Sequence, residues 1–168
     1  MSRADDRFAI QDVLFRYARA VDRLDHDAIA ACYFDDAVDV HGAYTGDAAG
    51  LVEDIRTRHR TIDSSQHFIT NVLVDFTGDD SAHVESYCLC YLRQAPTGPG
   101  APQDLAIIRC RYVDRFERRA GTWGIADRVV VFDESRTVHV TDTLDPTWVA
   151  SHRDASDPVY TWGVGAGA

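Results

Sequence analysis

Apolar residues at Ile10, Val13, Leu14, Tyr17, Ala18 and Val21 recur every three or four positions, the spacing of one helix face. Asp5 and Asp6 stand where acidic side chains favour a helix N-terminus, so the pattern predicts an opening amphipathic helix. In "DHDAIAACYF", Asp25 or Asp27 can cap a second, short helix carrying Ala28, Ile29, Cys32 and Tyr33, and "DDAVDVHG" then alternates like a short strand. Asp47 caps a third helix with Ala48, Leu51, Val52 and Ile55 on one side.

From Ser65 the period changes to two. "SQHFITNVLVDF", the turn "TGDDS" and "AHVESYCLCYLRQ" predict an antiparallel hairpin, and "APTGPGAPQ" is a Pro/Gly-rich loop at one end of the sheet. "DLAIIRCRYVDRFERRAGTWGIADRVVVFDES" supplies two further strands joined at "RRAGTW". No element is assigned after Ser135, and there is no internal repeat. Three N-terminal helices followed by four long antiparallel strands give an α+β order, in which the helices cover the concave face of a curved sheet and enclose a cavity. The expected organisation is one domain over residues 1–168, with 136–168 as a C-terminal tail.

Composition narrows the function classes. A hydrophobic content of 45% with 26% charged residues is globular, and a net charge of -10 disfavours nucleic acid and anionic membranes as partners. The basic cluster "RFERR" is short and interrupted by Glu117. Cys32, Cys88, Cys90 and Cys110 form no C-x-x-C pair and read as small core residues of a reduced protein. The N-terminus lacks the apolar run of a secretory signal and no stretch approaches a membrane span, so a soluble, cytoplasmic protein is expected. No metal-ligand spacing, G-x-S-x-G elbow, phosphate loop or dinucleotide fingerprint occurs. No cofactor is therefore expected, and any chemistry runs on side chains alone.

Three polar residues lie in apolar company. Asp22 sits at the edge of the first helix's apolar stripe, close to Tyr17. His67 shares a strand face with Ile69, Asn71 and Leu73, and Arg128 shares one with Ala126, Val130 and Phe132. His67 can be a core histidine satisfied by backbone, and Arg128 can pair with Asp114 or Asp133, because a buried polar or charged group must find a partner. Brought together, an Asp fixing the tautomer of a His makes a base, Arg128 stabilises negative charge and Tyr17 donates a hydrogen bond. His26, His41, His59, His83, His139 and His152 are weaker candidates.

The segments "RFAIQDVLFRYARAVDRLDHDAIAACYFDDAVDVHGAYTG", "SQHFITN" and "GTWGIADRVVVFD" resemble the SnoaL-like branch of the nuclear transport factor 2-like superfamily over roughly Arg3 to Arg136. The resemblance implies a cone-shaped α+β barrel of cystatin-like type. Within that branch the segments resemble hexachlorocyclohexane dehydrochlorinase, scytalone dehydratase and the bile acid 7α-dehydratases. They imply Asp22 and His67 as the dyad, Arg128 as the anion-stabilising arginine and Tyr17 as a pocket tyrosine. Two positions depart: Cys90 stands near the bile acid enzymes' second acid, and Tyr17 replaces the dehydrochlorinase lysine.

The expected function is a cofactor-independent lyase, dehydratase-like, acting on a small hydrophobic cyclic, aromatic or steroid-like molecule. Asn71, Phe15, Phe34, Ile108 and Trp123 are the expected substrate-lining residues. An isomerase or polyketide cyclase needs the same base without a leaving group. A non-catalytic ligand carrier or an oxygenase small subunit would use Asp22 and His67 only to satisfy each other. Apolar residues such as Tyr87, Leu89 and Tyr91 on the sheet's outer face point to a homo-oligomer, and the resemblance makes it a trimer or dimer.

Overall fold

The computed structural model describes residues 2–141 and 143–161. Helix α1, Arg3–Arg23, starts at a capping box in which Ser2 and Asp5 satisfy each other's backbone N–H groups. It buries Ile10, Leu14, Tyr17 and Val21, the predicted face, and ends where Leu24 turns left-handed at φ 54. Helix α2, His26–Ala30, is capped by Asp25, and helix α3, Ala48–Arg58, by Asp47. A 3-10 turn, His59–Thr61, closes α3.

The strands are β1 (Tyr33–His41), β2 (Tyr44–Gly46), β3 (Ile62–Phe76), β4 (Ser81–Gln94), β5 (Gln103–Arg119) and β6 (Thr122–Val140). They form one curved, unclosed sheet in the order β2-β1-β6-β5-β4-β3. The turn between β5 and β6 sets Ala120 and Gly121 at φ 50 and 86, two left-handed positions that suit the twist of a tight hairpin. α1 packs on β3 and β6, and the core of Leu14, Ile29, Leu51, Ile55, Val84, Phe116 and Ile125 fills the space between helices and sheet. A short helix, α4 (Pro158–Thr161), follows.

Four expectations change. Tyr33 opens β1 rather than ending the second helix, whose apolar spacing does not extend past Ala30. The sheet has six strands and is not wholly antiparallel, because β1 lies parallel to β6, with Asp39 opposite Arg128. β6 runs to Val140, so residues 136–140 belong to the sheet and not to a tail. Strict alternation along β3 also fails: Asn71, at φ 49, sits where the pairing with β4 shifts between Thr70 and Leu73. This bulge adds one residue, so Ser65, His67 and Ile69 turn inward before it, and Val72, Val74 and Phe76 after it. Leu73 is left on the outside, as are Phe68, Tyr87, Val113 and Val129.

Candidate active site

Asp22 occupies the last turn of α1, the end where a carboxylate opposes the helix dipole. It is held there by long-range partners. Oδ1 lies 2.6 Å from Nδ1 of His67 and accepts from the Ser65 hydroxyl at 2.7 Å, while Oδ2 accepts from the His67 backbone N–H at 3.0 Å. Ser65 and His67, two residues apart on β3, present side chains to the same face and so grip one carboxylate together. On the far side of the ring, Cys90 places Sγ 3.2 Å from Nε2, because β4 sets Cys90 directly opposite His67.

The electrostatics follow from these contacts. Burial pushes the Asp22 carboxyl up, but the hydrogen bond and charge of His67, with the N–H and hydroxyl donors, outweigh it and hold Asp22 below its ordinary value. Burial pushes His67 down, and the Asp22 and Cys90 contacts overcome it, raising the imidazole to about 10.

His67 and Cys90 border a cavity of about 50 Å³ that is also lined by Tyr17, His59, Ile108 and Tyr112. Of the expected site residues, the structure therefore joins Asp22 and His67, and puts Tyr17 and Ile108 on the same cavity. Burial raises the Tyr17 phenol to about 12, so it stays a neutral donor. His41 and Arg58 complete the rim, and both keep part of their side chains exposed.

The structure places the remaining candidates elsewhere. Arg128 is 0% exposed and does not line the cavity. Its Nε and Nη2 donate to the two oxygens of Asp114, each at 2.7 Å, and its guanidinium lies between the rings of Tyr17 and Tyr112, 4.5 and 4.1 Å from their centroids. Its charge is thus already matched by a buried carboxylate. Trp123 is buried away from the site and donates from Nε1 to Asp6. Phe34 packs beneath Arg119 and against Gly124. Asn71 is the exposed bulge residue. Phe15, 50% exposed, borders a different feature, an open groove of about 310 Å³ that reaches Asp22 and His67 from outside.

Ser65, Cys90 and His59 join the site beyond the expected set. Ser65 carried a usable signal, its i, i+2 spacing to His67. Among the described residues no group of three His, Cys, Asp or Glu side chains is placed to hold a metal ion, and no helix is long and apolar enough to cross a membrane.

A family model described as the SnoaL-like domain matches residues 2–129. The chain belongs to the SnoaL-like family. Solved structures similar to this SnoaL-like chain include a hexachlorocyclohexane dehydrochlorinase, LinA type 2, with 21% identity and a TM-score of 0.73, covering 87% of this chain and 97% of that one. A candidate scytalone dehydratase from Novosphingobium aromaticivorans has 17% identity and a TM-score of 0.71, covering 88% and 97%. A protein of unknown function with a cystatin-like fold, from Nostoc punctiforme, has 18% identity and a TM-score of 0.63, covering 77% and 92%. At such identities the likeness establishes the fold: an α+β, NTF2-like architecture. None of the curated proteins matches the SnoaL-like chain in sequence.

Proposed function

We propose that this SnoaL-like protein is a cofactor-independent enzyme of lyase or isomerase type, with dehydration of a small hydrophobic substrate as its reaction. The observation that carries the reading is the 2.6 Å contact between Asp22 Oδ1 and His67 Nδ1, with the opposite ring nitrogen beside Cys90, which lines the cavity with His67. Asp22 fixes the ring so that Nε2 is the working nitrogen, and Nε2 removes a proton from carbon. Asp22 then stabilises the imidazolium formed. Tyr17, buried and neutral, supplies a hydrogen bond to an oxygen of the substrate. Arg128 contributes through Tyr17, against whose ring it is stacked, and not by touching the anion.

The cavity restricts the substrate. A space of about 50 Å³ holds one or two water molecules, far less than a steroid nucleus, so the reading favours small open-chain or single-ring molecules that displace the rim side chains of His41 and Arg58. With His67 raised to about 10, the unliganded ring carries its proton at neutral pH, and turnover should increase with pH toward that value.

The test is exchange of carbon-bound hydrogen in D2O together with product formation, over a panel of small β-hydroxy ketones. His67→Ala and Asp22→Asn should each lower the rate by roughly 10²- to 10⁴-fold. Equal rates in wild type and both variants reject the mechanism, and exchange without loss of water favours isomerisation. A second reading, a ligand-binding protein, draws on the partnered state of both His67 nitrogens and the small cavity; it predicts binding without exchange. The exposed apolar side chains on the outer sheet face support a homo-oligomer, which light scattering measures directly.

A further inference from the structure

Arg153 returns from the segment after β6 and ends against the site. Nε and Nη2 donate to the carbonyls of Asp22 and Val21, both at 3.0 Å, which closes the C-terminus of α1 just where Asp22 is mounted. Nη1 donates to the Ile62 carbonyl at 3.0 Å, and Nη2 lies 2.8 Å from Nδ1 of His59. A guanidinium has donors only, so Nδ1 of His59 must be the acceptor. The single proton of the neutral imidazole is therefore on Nε2, which the ring directs away from Arg153. A second proton would have to sit on Nδ1, facing the guanidinium. Burial and that positive charge push His59 down to about 3, so the ring stays neutral.

His59 is 4% exposed and lines the same cavity as His67 and Tyr17. Among the described residues, no group accepts a hydrogen bond from its Nε2. An oriented donor on a residue that lines the cavity, with no acceptor among the described residues, suits a ligand oxygen.

We propose that His59 contacts substrate: its Nε2–H, held in one tautomer by Arg153, donates to the carbonyl oxygen of a small ketone whose neighbouring C–H faces His67. The assignment rests on reading His67 as the base and names the substrate class of that reaction. When the C–H bond breaks, its proton goes to His67 Nε2 and its electron pair moves onto the carbonyl oxygen, giving an enolate. For a β-hydroxy ketone the enolate then expels the hydroxyl, which takes the proton from His67 and leaves as water. A neutral donor polarises the carbonyl without surrendering its proton, and the bond strengthens as the oxygen becomes negative. Arg153 acts through His59 and is a positioning residue. It lies beyond residues 2–129, the part matched by the family model.

Two measurements on the full chain test this. In protein labelled with ¹⁵N-histidine, His59 should show a protonated Nε2 and an unprotonated Nδ1 through the neutral range, and Arg153→Met should raise its pKa and let Nδ1–H appear, with burial still holding the ring below the ordinary value of about 6.5. With cyclopentanone as probe, the C=O stretch should move to lower frequency on binding to wild type and to His67→Ala. In His59→Phe the shift should vanish and affinity should fall by about tenfold. His59→Gln, which keeps a donor, should recover part of both, and Arg153→Met carries the comparison where His59→Phe does not fold. A retained stretch shift in His67→Ala without turnover separates this proposal from the role of the base. A native Nδ1–H tautomer, equal shifts and affinities in wild type and His59→Phe, or no saturable binding of cyclopentanone would each overturn it.

Discussion

Cys90 holds its sulfur 3.2 Å from Nε2 of His67, on the side of the ring opposite the nitrogen that Asp22 occupies. The carboxylate and the sulfur both favour the protonated ring, against the pull of burial. Replacing the sulfur should therefore release the working nitrogen. In Cys90→Ala the His67 pKa should fall by about one unit, the effect of one hydrogen bond to a charged group, and the rising limb of the rate profile should move to lower pH with it. Titration of the His67 ring by ¹⁵N NMR gives the answer; an unmoved pKa would mean that the sulfur exerts no hold on the ring.

His59 and His67 should pull the pH dependence of stability in opposite directions. His67, raised to about 10 in the folded chain, contributes stability that is complete below about 6.5 and fades as pH rises through 10. His59, lowered to about 3, refuses a proton that the unfolded chain accepts below about 6.5, so stability falls as pH drops through that window. Asp22, held low, loses its own contribution only at more acidic pH. In His59→Gln the urea midpoint should decline less steeply from neutral to mildly acidic pH than in wild type, and parallel declines would contradict the assignment of a buried neutral His59.

Asp114→Asn should be among the costliest single substitutions in the sheet. It would leave the Arg128 guanidinium, 0% exposed, without its carboxylate between Tyr17 and Tyr112. Breaking one half of a buried ion pair costs about 3–5 kcal/mol. Equilibrium unfolding in denaturant measures it, and a loss under about 1 kcal/mol, the range of an exposed pair, would show that Arg128 is not sealed from water.

Asn71 should respond to backbone demands and not to ligand. Its φ of 49 suits Asn or Gly, so Asn71→Gly should be nearly neutral, whereas Asn71→Val should cost about 1–2 kcal/mol. Ligand affinity and turnover should be unaffected by the Gly variant. A selective loss of affinity there would return Asn71 to the site.

Much of the fold was legible because the local period dominates it. The buried stripe of α1, the caps Asp25 and Asp47 and the long hairpins all follow from side chains a few residues apart. The β1–β6 pairing was not, since a parallel contact between strands separated by about half the chain leaves no nearby mark. Asp22 and His67 stood out as polar groups in apolar surroundings, a conflict that local preference alone does not resolve. For Arg128 the apolar neighbours demand a partner without saying which. A ligand and Asp114 satisfy it equally well on paper, and only the register that sets Asp114 opposite Arg128 decides. His59 was passed over because it follows an arginine-rich helix end, and its deciding contact, Arg153, lies 94 residues away.

The bulge at Asn71 ties two properties of β3 to one residue of chain length. Above it, inward positions carry Ser65 and His67; below it, they carry Val74 and Phe76. Deleting Asn71 would put the strand back into even alternation, and only one of those two sets could keep facing the helices. The chain would have to trade the dyad for its core or the core for its dyad. Insertions and deletions in this strand are thus barred by phase, even where every individual side chain tolerates replacement.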